Sequence, residues 1–589
     1  MKIKFVTLLV LLGLVLSACG GEKAVTLPAV VSDPTATTEV VPVVPAVDAT
    51  VPVPAGVDTA TLIIPEEPTG LNYFTSEAAI VRQVAEATSM TGLDTIDQDG
   101  VYQPVLATEL PTLENGGLSK DYLTITWHLK PGLKWSDGQP LTSDDIKYTW
   151  EVLSNPTSGA LVGVGGFSLV TAVETPDELT AILTYSSAYP AYLSQFAYGL
   201  LPRHATGKPE EMATWEWNRN PVGAGPFIVS DWQSGQSISM ERNPNYFEVG
   251  KPYLNKLVFR IVPEPAAQTA MMMQGEAQVH LWPGESPTEY STLLKGKAEE
   301  VLVPGIWNMA IDFNLSAPFD GDLGPTPPHP ILGDLRVRQA IAAAIDYDTL
   351  NNQVLSGTVS DSTNPFEYGW SKCNLPHPFP FDPEKAKKLL DEAGWVPGAD
   401  GIREAKGAMY AKDGTRLSLE LQGYTNFTPL QQTEEFLVEN LKAVGIEARI
   451  QNYDFSIIFG TYTDKSPRVI GDYDMLIFDR GFGIDPQNYV SDAYRSDNIP
   501  SEKNQTGSNY FRWVNSTVDE QLKIAGSNFD QAARKTAYCK IGEQVNTELP
   551  QIYLYLLQDG YGFASNMTGY NVSTWGSMTW GAQNWQYKK

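Results

Sequence analysis

Leu417-Ser418-Leu419-Glu420-Leu421, the run from Leu430 to Val444, and Ile446-Glu447-Ala448-Arg449-Ile450 decide the fold class. The first and third read as strands, and the middle one as a helix stopped by Gly445. A strand, a helix and a second strand in that order form a βαβ unit. This half of the chain is therefore α/β, with a parallel sheet whose strand ends can face a cleft.

Signals on either side agree. Asp382 is placed to cap a helix with Pro383 at its first position, Leu389, Leu390 and Ala393 form its apolar face, and Gly394 ends it. Asp334 plays the same capping part before Val337, Ile341 and Ile345. Upstream, Leu123 to Leu129 alternates as a strand, Lys134 to Gly138 supplies a turn, and Thr142 with Asp145 opens a helix carrying Ile146, Trp150 and Leu153. The glycines of Pro221-Val222-Gly223-Ala224-Gly225-Pro226-Phe227 suggest a positive-φ turn into a strand from Phe227 to Trp232. Asp97-Gln98-Asp99-Gly100 reads as a hairpin turn rather than a calcium loop, since the later ligands are missing.

The N-terminus carries its own message. Met1-Lys2-Ile3-Lys4, an apolar run from Phe5 to Leu16 and Leu16-Ser17-Ala18-Cys19 have the layout of a secretion signal, residues 1–19, and resemble the lipobox of bacterial lipoproteins. The apolar run is too short to span a bilayer. Lipidated at Cys19, the protein is expected outside the cytoplasm, anchored at the outer leaflet of the cell membrane or on a periplasmic face. Residues 20–57, rich in Pro, Val and Thr, read as an extended tether, which at ~3.1 Å per residue reaches up to about 100 Å.

The remaining body of about 530 residues is large enough for more than one lobe. With 41 basic and 69 acidic residues and a net charge of −28, it lacks the cationic excess that a nucleic-acid partner requires. Besides Cys19 there are two cysteines, Cys373 and Cys539. In an oxidising compartment an even pair suggests one disulfide, two separate buried thiols being the alternative. The five histidines are scattered, and no catalytic triad signature, zinc motif or complete phosphate loop occurs, so neither metal nor cofactor is expected.

Four ordered blocks carry a family resemblance over nearly the whole mature body. Leu133-Lys134-Trp135-Ser136-Asp137-Gly138-Gln139-Pro140-Leu141-Thr142-Ser143-Asp144-Asp145-Ile146-Lys147-Tyr148 resembles the signature of the family 5 extracytoplasmic solute-binding proteins. That group includes oligopeptide-, dipeptide- and nickel-binding components of ABC importers. Pro221 to Phe227 with Glu241 to Phe247, Leu335 to Ile341, and Phe381 to Leu390 fit the same family.

The resemblance implies a hinged, two-lobed periplasmic-binding-protein fold of type II with an extra subdomain. On that pattern residues 58–311 with 558–589 build lobe one, including an inserted subdomain at about 85–220, and 312–557 build lobe two. It also implies a monomer that captures a solute without altering it and presents it to ABC permease subunits. In peptide-binding relatives the loop after the strand Asp474 to Phe478 places a Trp and an amine-pairing Asp before an Asp-Pro or Glu-Pro. Here that loop is Asp479-Arg480-Gly481-Phe482-Gly483-Ile484-Asp485-Pro486, so Asp479 stands at the Trp position and Phe482 at the amine-pairing position.

The expected ligand contacts follow from this loop and from aromatics near the lobe junctions. Asp479 and Arg480 would pair polar ends of the ligand; Phe482, Trp307, Tyr368 and Trp370 would wall the cleft; Asn308 and Tyr73 would supply hydrogen bonds. Core packing, and a surface ion pair between Asp479 and Arg480, are the competing explanations. Three function classes stand: an importer component for oligopeptides, the same role for an oligosaccharide stacked on some of the fourteen tryptophans, and an anchored hydrolase using a carboxylate pair. The family blocks favour the first two.

Overall fold

The computed structural model describes residues 58–76, 78–284, 287–316, 327–425, 427–481, 483 and 485–588. Cys19, the signal segment and the tether lie outside the described residues, as does Phe482.

One eleven-stranded mixed sheet organises the body. In the second lobe the strands Ser418–Tyr424 and Glu447–Tyr453 pair in parallel, in register from Ser418 opposite Glu447 to Tyr424 opposite Tyr453. The helix Thr428–Ala443 joins them, buries Leu430, Leu437 and Leu441, and ends at Gly445, whose φ of +88° only glycine adopts without strain. Each of those leucines contributes about 1.5–3 kcal/mol of burial. The helix starts two residues before the expected Leu430 because Pro429 suits its first turn.

The caps hold as the residue types imply. Asp382 accepts from the Lys385 amide at 2.9 Å, Asp334 from the Arg336 amide at 3.0 Å, and Asp145 from the Thr142 amide at 3.0 Å. Asp97 accepts the amides of Asp99 and Val101 and closes a hairpin between Asp94–Ile96 and Tyr102–Pro104. The Pro221–Phe227 segment departs from expectation. Gly223 and Gly225 do not adopt positive φ. They are glycines because a Cβ on either would lie 2.2 or 2.5 Å from the Thr88 carbonyl oxygen, so the requirement is close approach rather than turn geometry.

Three main cores divide the body. One gathers Ala60, Leu62, Ile238, Phe259, Tyr561 and Trp585; a second gathers Phe74 and residues from Leu93 to Ala224; the third spans Met309 to Leu556. Two long strands, Ala298–Phe313 and Gln551–Ala564, run antiparallel between the first core and the third. Their register shifts between Pro304 and Asn308, where the ladder is interrupted. Cys373 and Cys539 are joined by a disulfide inside the second lobe, tying the Gly369–Ser371 turn region to the helix Gln531–Glu548.

Candidate functional site

The inserted subdomain and the second lobe meet through a small number of specific contacts. Tyr189 Oη donates to Asn488 Oδ1 at 2.6 Å, and Asn488 Nδ2 donates to Ser194 Oγ at 3.1 Å. Phe529 stacks on Tyr122 with centroids 4.4 Å apart and lies 5.9 Å from Tyr192. Near the long strands, the Tyr368 ring meets Trp575 edge-on at 6.0 Å, and its hydroxyl donates to the Gly305 carbonyl. The lobes are therefore in contact.

Behind these contacts runs a buried polar line from one lobe to the other. Arg534, on Gln531–Glu548, holds Asp485 with two hydrogen bonds of 2.8 and 2.6 Å. Its guanidinium lies 4.9 Å from the Trp370 ring centroid, a cation–π distance. Burial works against that charge, and the Asp485 carboxylate together with Tyr538 more than offsets it. On the first-lobe side stand Tyr102 and Asp94, whose side-chain oxygens have no hydrogen-bond partner. Burial first, then the charges of Asp485 and Asp94, push the Tyr102 hydroxyl well up, so it stays protonated. The Trp370 Nε1 is likewise buried without an acceptor. Asp94 lines a cavity of about 210 Å³ with Arg82, Glu86, Tyr198, Asn571 and Trp575.

Of the residues singled out from the sequence, Tyr368 and Trp370 lie on this line or at the lobe junction, and Tyr73 lies beside the cavity, its ring 5.3 Å from that of Tyr198. Asp479 and Arg480 are not loop residues. The strand Met475–Gly481 extends through both, opposite Met309 and Asn308, because the strand Ala298–Phe313 offers them a ladder. Arg480 pairs at 2.8 Å with Asp312, which is wholly buried, and so is committed inside the second lobe. Asp479, on the other face, accepts from the Tyr424 hydroxyl; burial pushes its carboxyl up against that bond. Asn308 is fully buried, and Trp307 lies over Gly481.

The sequence reading missed Asp94, Tyr102, Asn488 and Arg534. One signal was available: in Leu93-Asp94-Thr95-Ile96 the carboxylate shares the inward strand face with Ile96, a place where a charge needs a reason. Among the described residues no group of His, Cys, Asp and Glu could hold a metal, and no helix is long and apolar enough to cross a membrane.

Two lobes on a shared sheet, with a buried polar line between them, define a hinged binding protein of the two-lobed α/β class. Residues 101–501 match the family of bacterial extracellular solute-binding proteins, family 5, and the chain belongs to that family, whose members are non-enzymatic transporter components. The oligopeptide-binding protein AppA of Bacillus subtilis is 26% identical over 476 residues, covering 79% of this chain and 80% of AppA. The structure of AppA in complex with a nonapeptide superposes with a TM-score of 0.68 at 23% identity, covering 90% of this chain and 99% of that one. NikZ from Campylobacter jejuni in complex with Ni(L-His) gives 0.71 at 22% identity, covering 90% and 100%. The chain is a solute-binding component of an ABC importer, working outside the cytoplasm.

Proposed function

We propose that this protein is a monomeric, lipid-anchored receptor that captures oligopeptides by hinge closure and hands them to ABC permease subunits. The observation that carries the reading is the pair of long strands, Ala298–Phe313 and Gln551–Ala564, passing between cores with their ladder interrupted at Pro304 to Asn308. Two antiparallel crossings whose ladder breaks at one level give a bending axis. On this reading lobe one comprises 58–311 and 558–589, with the insert at about 85–220, and lobe two comprises 312–557. A ligand touching both lobes shifts the population toward closure, and the permease reads that form. Peptide as cargo is supported by the AppA similarity. Anchoring rests on the Cys19 motif.

A thermal-shift panel of tri- to pentapeptides and neutral oligosaccharides tests the cargo. A true ligand at one hundred times its Kd stabilises the protein by ~2.7 kcal/mol. Peptides are expected to raise the melting point and to shrink the scattering radius of a monomer; sugars doing so alone would overturn the peptide reading. Anchoring is tested by expressing Cys19→Ala, which is expected to leave the membrane fraction for the soluble one.

A further inference from the structure

We infer that the cargo carries a protonated amine and that Asp94, in the first lobe, receives it. The inference rests on the reading of this chain as a solute receptor and specifies the chemistry of what it takes.

Asp94 is 1% exposed, yet neither carboxylate oxygen has a hydrogen-bond partner. Buried polar atoms in native proteins are nearly always paired, and burial without a partner pushes the Asp94 carboxyl well above the usual carboxylate range, towards its neutral form. The charged neighbours do not resolve it. Arg82, which lines the same cavity, donates to the Trp575 carbonyl and faces Glu86 one turn further along its helix. Arg534 is committed to Asp485 through both terminal nitrogens. Glu86 accepts the Ser577 amide at 2.8 Å. Tyr192, within the field of Asp94, donates at 2.6 Å to the Pro111 carbonyl. Among the described residues no cation pairs with Asp94, and it borders a cavity of about 210 Å³.

The geometry matches one kind of guest. An ammonium has three N–H donors and no acceptor. Asp94 offers two acceptor oxygens, and the neighbouring Tyr102 hydroxyl, also without a partner, offers a third. Toward the second lobe, outside the lining of that cavity, the buried Trp370 Nε1–H also lacks an acceptor. An amine at one end and an acceptor further along is the pattern of a peptide; a polyamine presents the amine alone.

The test uses the mature full-length protein and three probes: a mixed tri- to pentapeptide library, the same library with every amine acetylated, and spermidine. Bound molecules are read by mass spectrometry after gel filtration, and affinities by calorimetry, for the wild type and Asp94→Asn. Expected is retention of free-amine peptides, at least tenfold weaker binding of their acetylated forms, and the same loss for free-amine peptides with Asp94→Asn, whose unliganded melting point rises. Equal binding of both libraries, or full affinity in the variant, overturns the inference and leaves the peptide reading standing. Spermidine bound through Asp94 with neither library retained overturns the peptide reading and upholds the inference. Binding of none of the three removes both. An unliganded melting point lowered by Asp94→Asn shows the carboxylate to be a structural partner and also overturns the inference.

Discussion

Tyr189 and Asn488, 299 residues apart, share a 2.6 Å hydrogen bond between the inserted subdomain and the second lobe. Gly165 leaves room for it, since a Cβ there would stand 2.8 Å from Asn488 Oδ1. A net hydrogen bond contributes about 1 kcal/mol. Tyr189→Phe is therefore expected to weaken cargo binding about fivefold. Calorimetric titration checks this, with the unliganded melting point nearly unchanged.

Arg480 and Asp312 form a buried pair further stabilised by Gln551, whose Nε2 donates to Asp312 at 2.5 Å. Arg480→Met strands the carboxylate, and a loss of about 3–5 kcal/mol in urea unfolding is expected. Adding Asp312→Leu should restore most of it. Recovery in the double variant would identify the pair as packing rather than ligand contact.

Glu434, on the helix Thr428–Ala443, is pushed up to about 7 by burial, despite a 2.7 Å hydrogen bond from Asn452. A carboxyl raised in the folded state binds its proton more tightly than the unfolded chain does. Stability is thus expected to fall as pH rises from about 4.5 to 7 through this group. Glu434→Gln removes the penalty. With solvent screening allowed for, it should stabilise by about 1–2 kcal/mol at pH 8 and by little at pH 4.5, read from paired urea titrations.

The Cys373–Cys539 disulfide spans 166 residues of sequence. In the chain-entropy account such a loop contributes about 4–5 kcal/mol. Cys373→Ser with Cys539→Ser should lower the unfolding midpoint accordingly. Thiol titration of the unfolded, unreduced wild type should find neither cysteine reactive.

Local chemistry was legible where partners are close in sequence. The caps at Asp334 and Asp382 and the hairpin turn at Asp97 depend on residues two to four positions away. Asp479 and Arg480 read as loop residues from sequence, whereas their strand pairing is decided by Met309 and Asn308, some 170 residues earlier. Gly223 and Gly225 show the same limit: their lack of a side chain answers to the Thr88 carbonyl, which no local pattern reveals.

By itself the sequence determined the α/β class, the family and the acidic character of the chain, since periodicity, capping and ordered motifs are written in neighbouring residues. Only the tertiary structure decided which polar groups meet. It turned Arg480 into a core partner, set Arg534 on Asp485 and left Asp94 bordering a cavity without a counter-charge. The reason is physical: the cost of a buried charge depends on what surrounds it in space, and those neighbours come from distant parts of the chain.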